Sequence, residues 1–313
     1  MDHANSRDNL SKAVTTSVNG IFIMIVFFSH VQQYIRLPAP VHSVTAGLGQ
    51  LMVAMFLFYS GYGVGSSIHK KGMEYVHGMP RRRILQVLGR FIPAVLLYAL
   101  VDLACGITFT GRELLYSLVG WESLGNSNWY IFVILSLYLA TWLAYEICGK
   151  LVDAGRRETA SFLLMGALSA VLFLFLHETK ESWWYNTLSA YPFGYLAALT
   201  REKWERLPDR KSLWAGSSLV LFFLILLLRP VSSHASLHLL MTVLFCALIL
   251  CLTKKVPVYH PVLYWLGKHL FQNGIRFSYP VHKHIPIHIF KIIIKKSMDI
   301  QKSPHHCRPA ETA

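Results

Sequence analysis

The sequence predicts an all-α protein, a polytopic membrane helix bundle, and three observations carry that expectation. The 313 residues are 54% hydrophobic and only 15% charged, too apolar for a soluble domain of this length. Apolar runs long enough to cross the ~30 Å hydrocarbon core as helices recur along almost the whole chain. The basic residues, which bring the formal net charge to +14, alternate between loops instead of spreading as on a soluble basic domain. The expected partner is therefore the bilayer, with no nucleic acid.

The spans read in order as 18–35, 47–67, 91–109, 128–147, 160–177, 184–199, 213–228 and 235–252, with a ninth starting near Pro261. The expectation is thus eight or nine transmembrane helices. The first run follows a polar leader and lacks a small-x-small exit, so it is read as an anchor and not a cleaved signal. The sixth is short and carries Pro192 and Gly194. It is expected to be kinked or partly unwound, which membranes tolerate where the break lines a cavity. The ninth loses its apolar character after Leu270.

Charge sets the expected orientation. The leader has Arg7 and Lys12; later basic loops hold Lys70, Lys71, Arg81, Arg82, Arg83 and Arg90, then Lys150, Arg156 and Arg157, then Arg201, Lys203, Arg206, Arg210 and Lys211, then Lys254 and Lys255. The loops between them carry one cation each, namely Arg36, Arg112, Lys180 and Arg229. The positive-inside rule then places the N-terminus in the cytoplasm of a multi-pass cell-membrane protein. Trp121, Trp129, Trp183 and Trp184 fall near the outer ends of spans, as interfacial aromatics do. Cys105, Cys148, Cys246, Cys251 and Cys307 form no C-x-x-C pair and read as ordinary thiols, with no metal role. No repeat relates the two halves, so an inverted-repeat transporter is not indicated.

The polar residues inside the spans are the candidates for function. His30 is the most informative, because an ionisable side chain in hydrocarbon costs roughly 2.5 kcal/mol or more. Asn19 lies three helical turns before it on the same face. Asp102, the one carboxylate well inside a span, stands at a depth similar to that of His30. A carboxylate bonded to one imidazole nitrogen makes the other a better base, although His30 equally reads as a partner of a neighbouring helix. In span two, Phe58-Tyr59-Ser60-Gly61 leads into Gly65. Gly61 and Gly65 form a small-xxx-small pair that reads first as close helix packing. Arg81, Arg82, Arg83 and Arg90 read as topology signal, as contacts to anionic lipid, or as a clamp for the phosphates of a cytosolic donor. Arg83 and Arg90 are expected to share a helix face. Asn128 and Trp129 open span four from outside, as an acceptor-binding lip or as a cap with an interfacial anchor.

The stretches NGIFIMIVFFSH, FLFYSGYGVG, RFIPAVLLY and NSNWYIFVILSLYLATW, in that order, resemble the acyltransferase-3 family of integral membrane acyltransferases. The likeness covers roughly residues 15–270. It implies a bundle of about ten helices that moves an acyl group, acetyl from acetyl-CoA, to a hydroxyl of a surface polysaccharide or related glycan, including a lipid-linked saccharide. It implies His30 as catalytic base, with Ser60, Gly61, Arg83, Arg90 and Trp129 at family positions. It implies acetyl-CoA as a substrate, with no cofactor held by the protein.

The family's close Arg-x-x-Arg spacing is not reproduced, and two departures stand out. Many members have a cation eleven residues before the histidine, where this chain has Asn19, and after Leu270 the expected apolar ninth and tenth spans are replaced by a basic stretch. The chain accordingly divides into a membrane acyltransferase domain, 1–270, and an atypical tail, 271–313. The tail holds five of the fifteen histidines and seven basic residues against two acidic ones. Its abrupt onset is read as a reading-frame change or truncation. Two rivals to the enzyme reading stay open: a proton-coupled transporter or flippase using His30 and Asp102, and an inactive family member.

Overall fold

Helix α2 (Ala39–Lys71) is the axis of the bundle. In its apolar window 67% of residues are buried, against 28% for the corresponding window of helix α1 (Lys12–Val31). A helix that is apolar all round must be enclosed by others. The computed structural model describes residues 9–31, 39–104, 106–124, 128–206, 211–228, 234–256 and 258–269; of these, the side chains of 30, 31, 39–47, 211 and 255 lie outside the description. All regular structure among the described residues is helical.

From α2 the chain runs through α3 (Met73–Met79), a π turn (Pro80–Leu85) and α4 (Gln86–Ala104) as one long rod. Pro80 opens the π turn. A proline there has no N–H to donate and its ring crowds the carbonyl one turn back, so the helix widens. After the short α5 (Gly111–Leu118) come α6 (Trp129–Leu151), α7 (Ala154–Thr179) and a 3-10 turn (Ser182–Trp184). The remaining helices are α8 (Ala190–Leu199), α9 (Arg201–Glu205), α10 (Lys211–Leu228), α11 (Ala235–Lys255) and α12 (Pro261–Lys268).

Two close approaches lock the axis. A Cβ on Gly61 would stand 2.1 Å from the Tyr191 carbonyl oxygen, and one on Gly194 would stand 2.0 Å from that of Phe58. The backbones of α2 and α8 therefore touch through reciprocal glycines, the small-residue mode of membrane helix packing. Helix α12 docks on α1 in the same way, with Gly20 against the Leu263 carbonyl and Gly267 against that of Thr16.

Among the described residues six helices are long and apolar enough to cross a membrane: Lys12–Ser29, Leu48–Lys71, Met73–Ala104, Trp129–Leu151, Ala154–Thr179 and Ala235–Lys254. The eight or nine full crossings expected from hydropathy are not reached. The apolar part of α10 is shorter, over Ser212–Leu228. The expected sixth span is broken into the 3-10 turn, a run of turns and the ten-residue α8. Helix α12 has eight described residues. The tail 271–313 lies outside the described residues.

At the far end of the bundle from the basic loops, Lys180 closes an aromatic cluster. Its Nζ donates to the Trp121 carbonyl at 3.0 Å and sits 3.9 Å and 4.7 Å from the ring centres of Trp121 and Trp184. Gly120 makes this turn with φ 79°, and a Cβ there would meet the Asn128 carbonyl at 2.9 Å. Only glycine fits such a corner.

Candidate functional site

The four arginines read as a group from the sequence do not act as a group in space. Arg81, Arg82 and Arg90 are exposed, whereas Arg83 turns inward. The wide π turn sets Arg83 and Arg90 out of register, so the shared face expected of an unbroken helix is not realised. The Arg83 Nε donates to the Tyr75 phenol oxygen at 2.8 Å, and its guanidinium carbon lies 5.8 Å from the Tyr138 ring centre. Among the described residues no carboxylate pairs with it. Its Nη2 lies 3.7 Å from where a Gly63 Cβ would stand. The arginine thus reaches the glycine-rich element of α2 at ordinary contact distance.

Tyrosines line this part of the bundle, and three of them, Tyr75, Tyr138 and Tyr191, lie around the charge. Tyr75 comes from α3, Tyr138 and Tyr145 from α6, and Tyr191 and Tyr195 from α8; all five are buried. The Tyr191 and Thr141 hydroxyls are 2.9 Å apart, and the Tyr145 and Tyr195 phenols bond each other. Tyr138 meets Tyr191 edge to face at 6.0 Å. A second arginine enters from the basic end, where Arg201 Nη1 donates to the Tyr62 phenol oxygen at 2.8 Å. From the sequence Arg201 reads only as a loop cation, and these tyrosines are not marked out. The available signal was spacing, since residues 138 and 145 are seven apart and 191 and 195 four apart, one helix face in each case.

Ser60 and Gly61 belong to this site in different ways. Gly61 serves the α2–α8 approach, while the Ser60 side chain lies next to the phenol of Tyr130 on α6. Tyr130 meets the neighbouring ring of Trp129 edge to face at 6.3 Å. Asn128 is buried, and its amide donates to the Glu122 carbonyl at 3.4 Å across the loop. Residues 125–127 of the proposed lip lie outside the described residues.

His30 stands in the last turn of α1, and its side chain is among those not described. Helix α1 starts at Lys12, not 18, and is described to Val31; residues 32–35 of the expected span lie outside the described residues. His30 is therefore about 27 Å along the helix from Lys12 at 1.5 Å per residue. Its neighbour Ser29 abuts α2 at Gly49, where a Cβ would meet the Ser29 hydroxyl. On the same helix the Asn19 Oδ1 is buried and receives no hydrogen bond among the described residues. Asp102 is partly buried on α4. That helix packs Phe91, Val95 and Ala99 into a second cluster with Leu124 and Ile131, separate from the main core to which α1 contributes.

Two levels along α2 can thus be compared. Arg83 sits beside Gly63 and the last turn of α1 beside Gly49, about 21 Å apart at helical rise. Among the described residues no group of three or more His, Cys, Asp or Glu side chains could hold a metal ion. Cys148 and Cys246 are buried free thiols and Cys251 is a partly buried one.

A family model described as an acyltransferase domain, acyltransferase 3, matches residues 18–272. Neither the curated proteins nor the solved structures provide a match.

Proposed function

Because this chain belongs to the acyltransferase-3 family, and so is a membrane acyltransferase, we propose that it moves an acetyl group from cytosolic acetyl-CoA to a sugar hydroxyl of a surface polysaccharide or lipid-linked glycan. The observation that carries this reading is Arg83, a guanidinium turned into the bundle and met by phenols with no described carboxylate. Such a group suits the phosphates of a nucleotide donor. The 21 Å between its level and that of the His30 turn calls for a donor with a long, narrow arm, which is what pantetheine supplies.

In the proposed reaction His30 accepts the proton of the acceptor hydroxyl as its oxygen attacks the thioester carbonyl. The tetrahedral intermediate collapses by breaking the C–S bond, and the thiolate of CoA leaves and takes up the proton from the imidazolium. Asp102 remains a candidate partner for the imidazole, and the orphaned Asn19 oxygen a candidate acceptor for a donor N–H. General-base assistance of this kind contributes about 10²–10⁴-fold. The test is label transfer from [acetyl-labelled] acetyl-CoA to candidate glycans in isolated membranes. His30→Ala is expected to lose at least that factor while inserting normally. Wild-type turnover by His30→Ala, or glycan movement with no transfer of label, would overturn the proposal.

A further inference from the structure

A second cleft lies between α8, α9, α10 and α11, at the basic end of the bundle and away from Arg83. It has a volume of about 280 Å³, and its walls include Phe193, Trp204, Trp214, Leu250, Cys251 and Lys254. Most of this lining is apolar, and the polar groups sit at one side. Lys254 Nζ lies 5.4 Å from the Trp204 ring centre and 5.8 Å from that of Trp214. Neither Glu202 nor Glu205 pairs with it: Glu205 accepts from Arg201 at 2.6 Å, and Glu202 lies 3.9 Å from Arg206.

The two indoles differ in a way that identifies the ligand. The Trp204 Nε1 donates to the Ala197 carbonyl at 3.1 Å. The Trp214 Nε1 is buried and finds no acceptor among the described residues. A buried N–H without a partner costs about 1–3 kcal/mol, so the site is incomplete without an acceptor from outside the described chain. An ammonium and an indole N–H against the same ring call for an anionic oxygen, and the apolar walls call for a hydrocarbon chain. Basic pockets between helices at the cytoplasmic membrane surface take acidic headgroups in this manner.

The geometry points to a bound anionic phospholipid, its phosphate on Lys254 and the Trp214 N–H and one acyl chain along Phe193 and Leu250. This site is independent of the acyl-transfer reading and stands or falls apart from it.

The test is native mass spectrometry of the full chain released from micelles holding equal amounts of phosphatidylglycerol and phosphatidylcholine. The wild type is expected to retain phosphatidylglycerol preferentially. Lys254→Gln is expected to reduce that preference about fivefold, the effect of one basic residue at an anionic headgroup. Trp214→Phe, which keeps the ring and removes only the N–H, is expected to reduce it similarly. Equal retention of the two lipids by the wild type overturns the proposal, as does undiminished preference in both variants. Displacement of the lipid by inorganic phosphate or by acetyl-CoA also overturns it, because the headgroup subsite would then belong to a soluble phosphate.

Discussion

Gly194→Ala tests whether the α2–α8 contact sets the geometry of the site. The added methyl would stand 2.0 Å from the Phe58 carbonyl oxygen, where ordinary contact begins at 3.4 Å. The obstacle is backbone on the facing helix, so no side chain can swing aside, and α8 must retreat by about 1.4 Å. Overpacking of this kind costs typically 1–3 kcal/mol. The same shift disturbs the 2.9 Å bond that ties Tyr191 on α8 to Thr141 on α6. Gly166→Ala on α7 is the control, since nothing lies within 4 Å of its Cβ position. The assay is thermal unfolding in detergent alongside label transfer from acetyl-CoA. Gly194→Ala is expected to unfold several degrees lower than Gly166→Ala and to lose transfer out of proportion to its lost fold. If the two variants match in both measurements, the reciprocal-glycine account is wrong.

Arg83→Lys keeps the charge but loses the fork that holds Tyr75, and it is expected to raise the KM for acetyl-CoA by about tenfold or more, the worth of a charged hydrogen bond. The exposed Arg81→Lys and Arg90→Lys are expected to change it little; equal effects at all three positions would contradict the inward role of Arg83. At the opposite end, Glu113 in the capping box of α5 accepts from the Thr110 N–H at 2.6 Å and its hydroxyl at 2.9 Å. These bonds, the backbone one first, hold its carboxyl below the usual carboxylate range. A lowered folded value means that the cap supports α5 above the ordinary carboxylate range and loses that support as pH falls through the folded value. Amide exchange across 111–118 should therefore quicken in acid, and the pH dependence should vanish in Thr110→Ala.

Hydropathy and loop charge were enough to read the all-helical class and the long crossings, because burial in lipid selects composition over many residues at once. The sixth span was legible as irregular from Pro192 and Gly194, although not that Gly194 meets Phe58 across the bundle, since a close approach depends on two distant positions together. The family motifs marked Ser60, Gly61 and Arg83 one by one. That Arg83 turns in toward Gly63 could not be read from either segment, because it depends on the π turn at Pro80. Heptad arithmetic put Arg83 and Arg90 on one face, and that arithmetic fails where the helix is not α. Tyr145 and Tyr195 escaped notice for another reason: on apolar helices a tyrosine reads as bulk until its hydroxyl has a partner.

The company Arg83 keeps separates a ligand-binding arginine from a topological one. A cation serving only as an inside marker belongs at the membrane surface, and the exposed Arg81, Arg82 and Arg90 are free to take that role. One buried for stability would be expected to pair with a carboxylate, because an uncompensated charge in hydrocarbon costs roughly 2.5–3.5 kcal/mol or more. Arg83 instead meets a phenol oxygen and an aromatic face. Neutral partners lower the cost of its burial, by about 1.5–3 kcal/mol for a hydrogen bond to a charged group and roughly 0.5–2 kcal/mol for the ring, without cancelling its field. On the proposed reading, an incoming phosphate would displace no described anion and would find the full charge available. A carboxylate placed beside Arg83, as in Gly63→Asp, would remove that advantage while keeping the cation paired. That variant should bind acetyl-CoA worse than Gly63→Ala, whose methyl would stand only in ordinary contact at 3.7 Å; if it binds equally well, the charge of Arg83 is not what the donor meets.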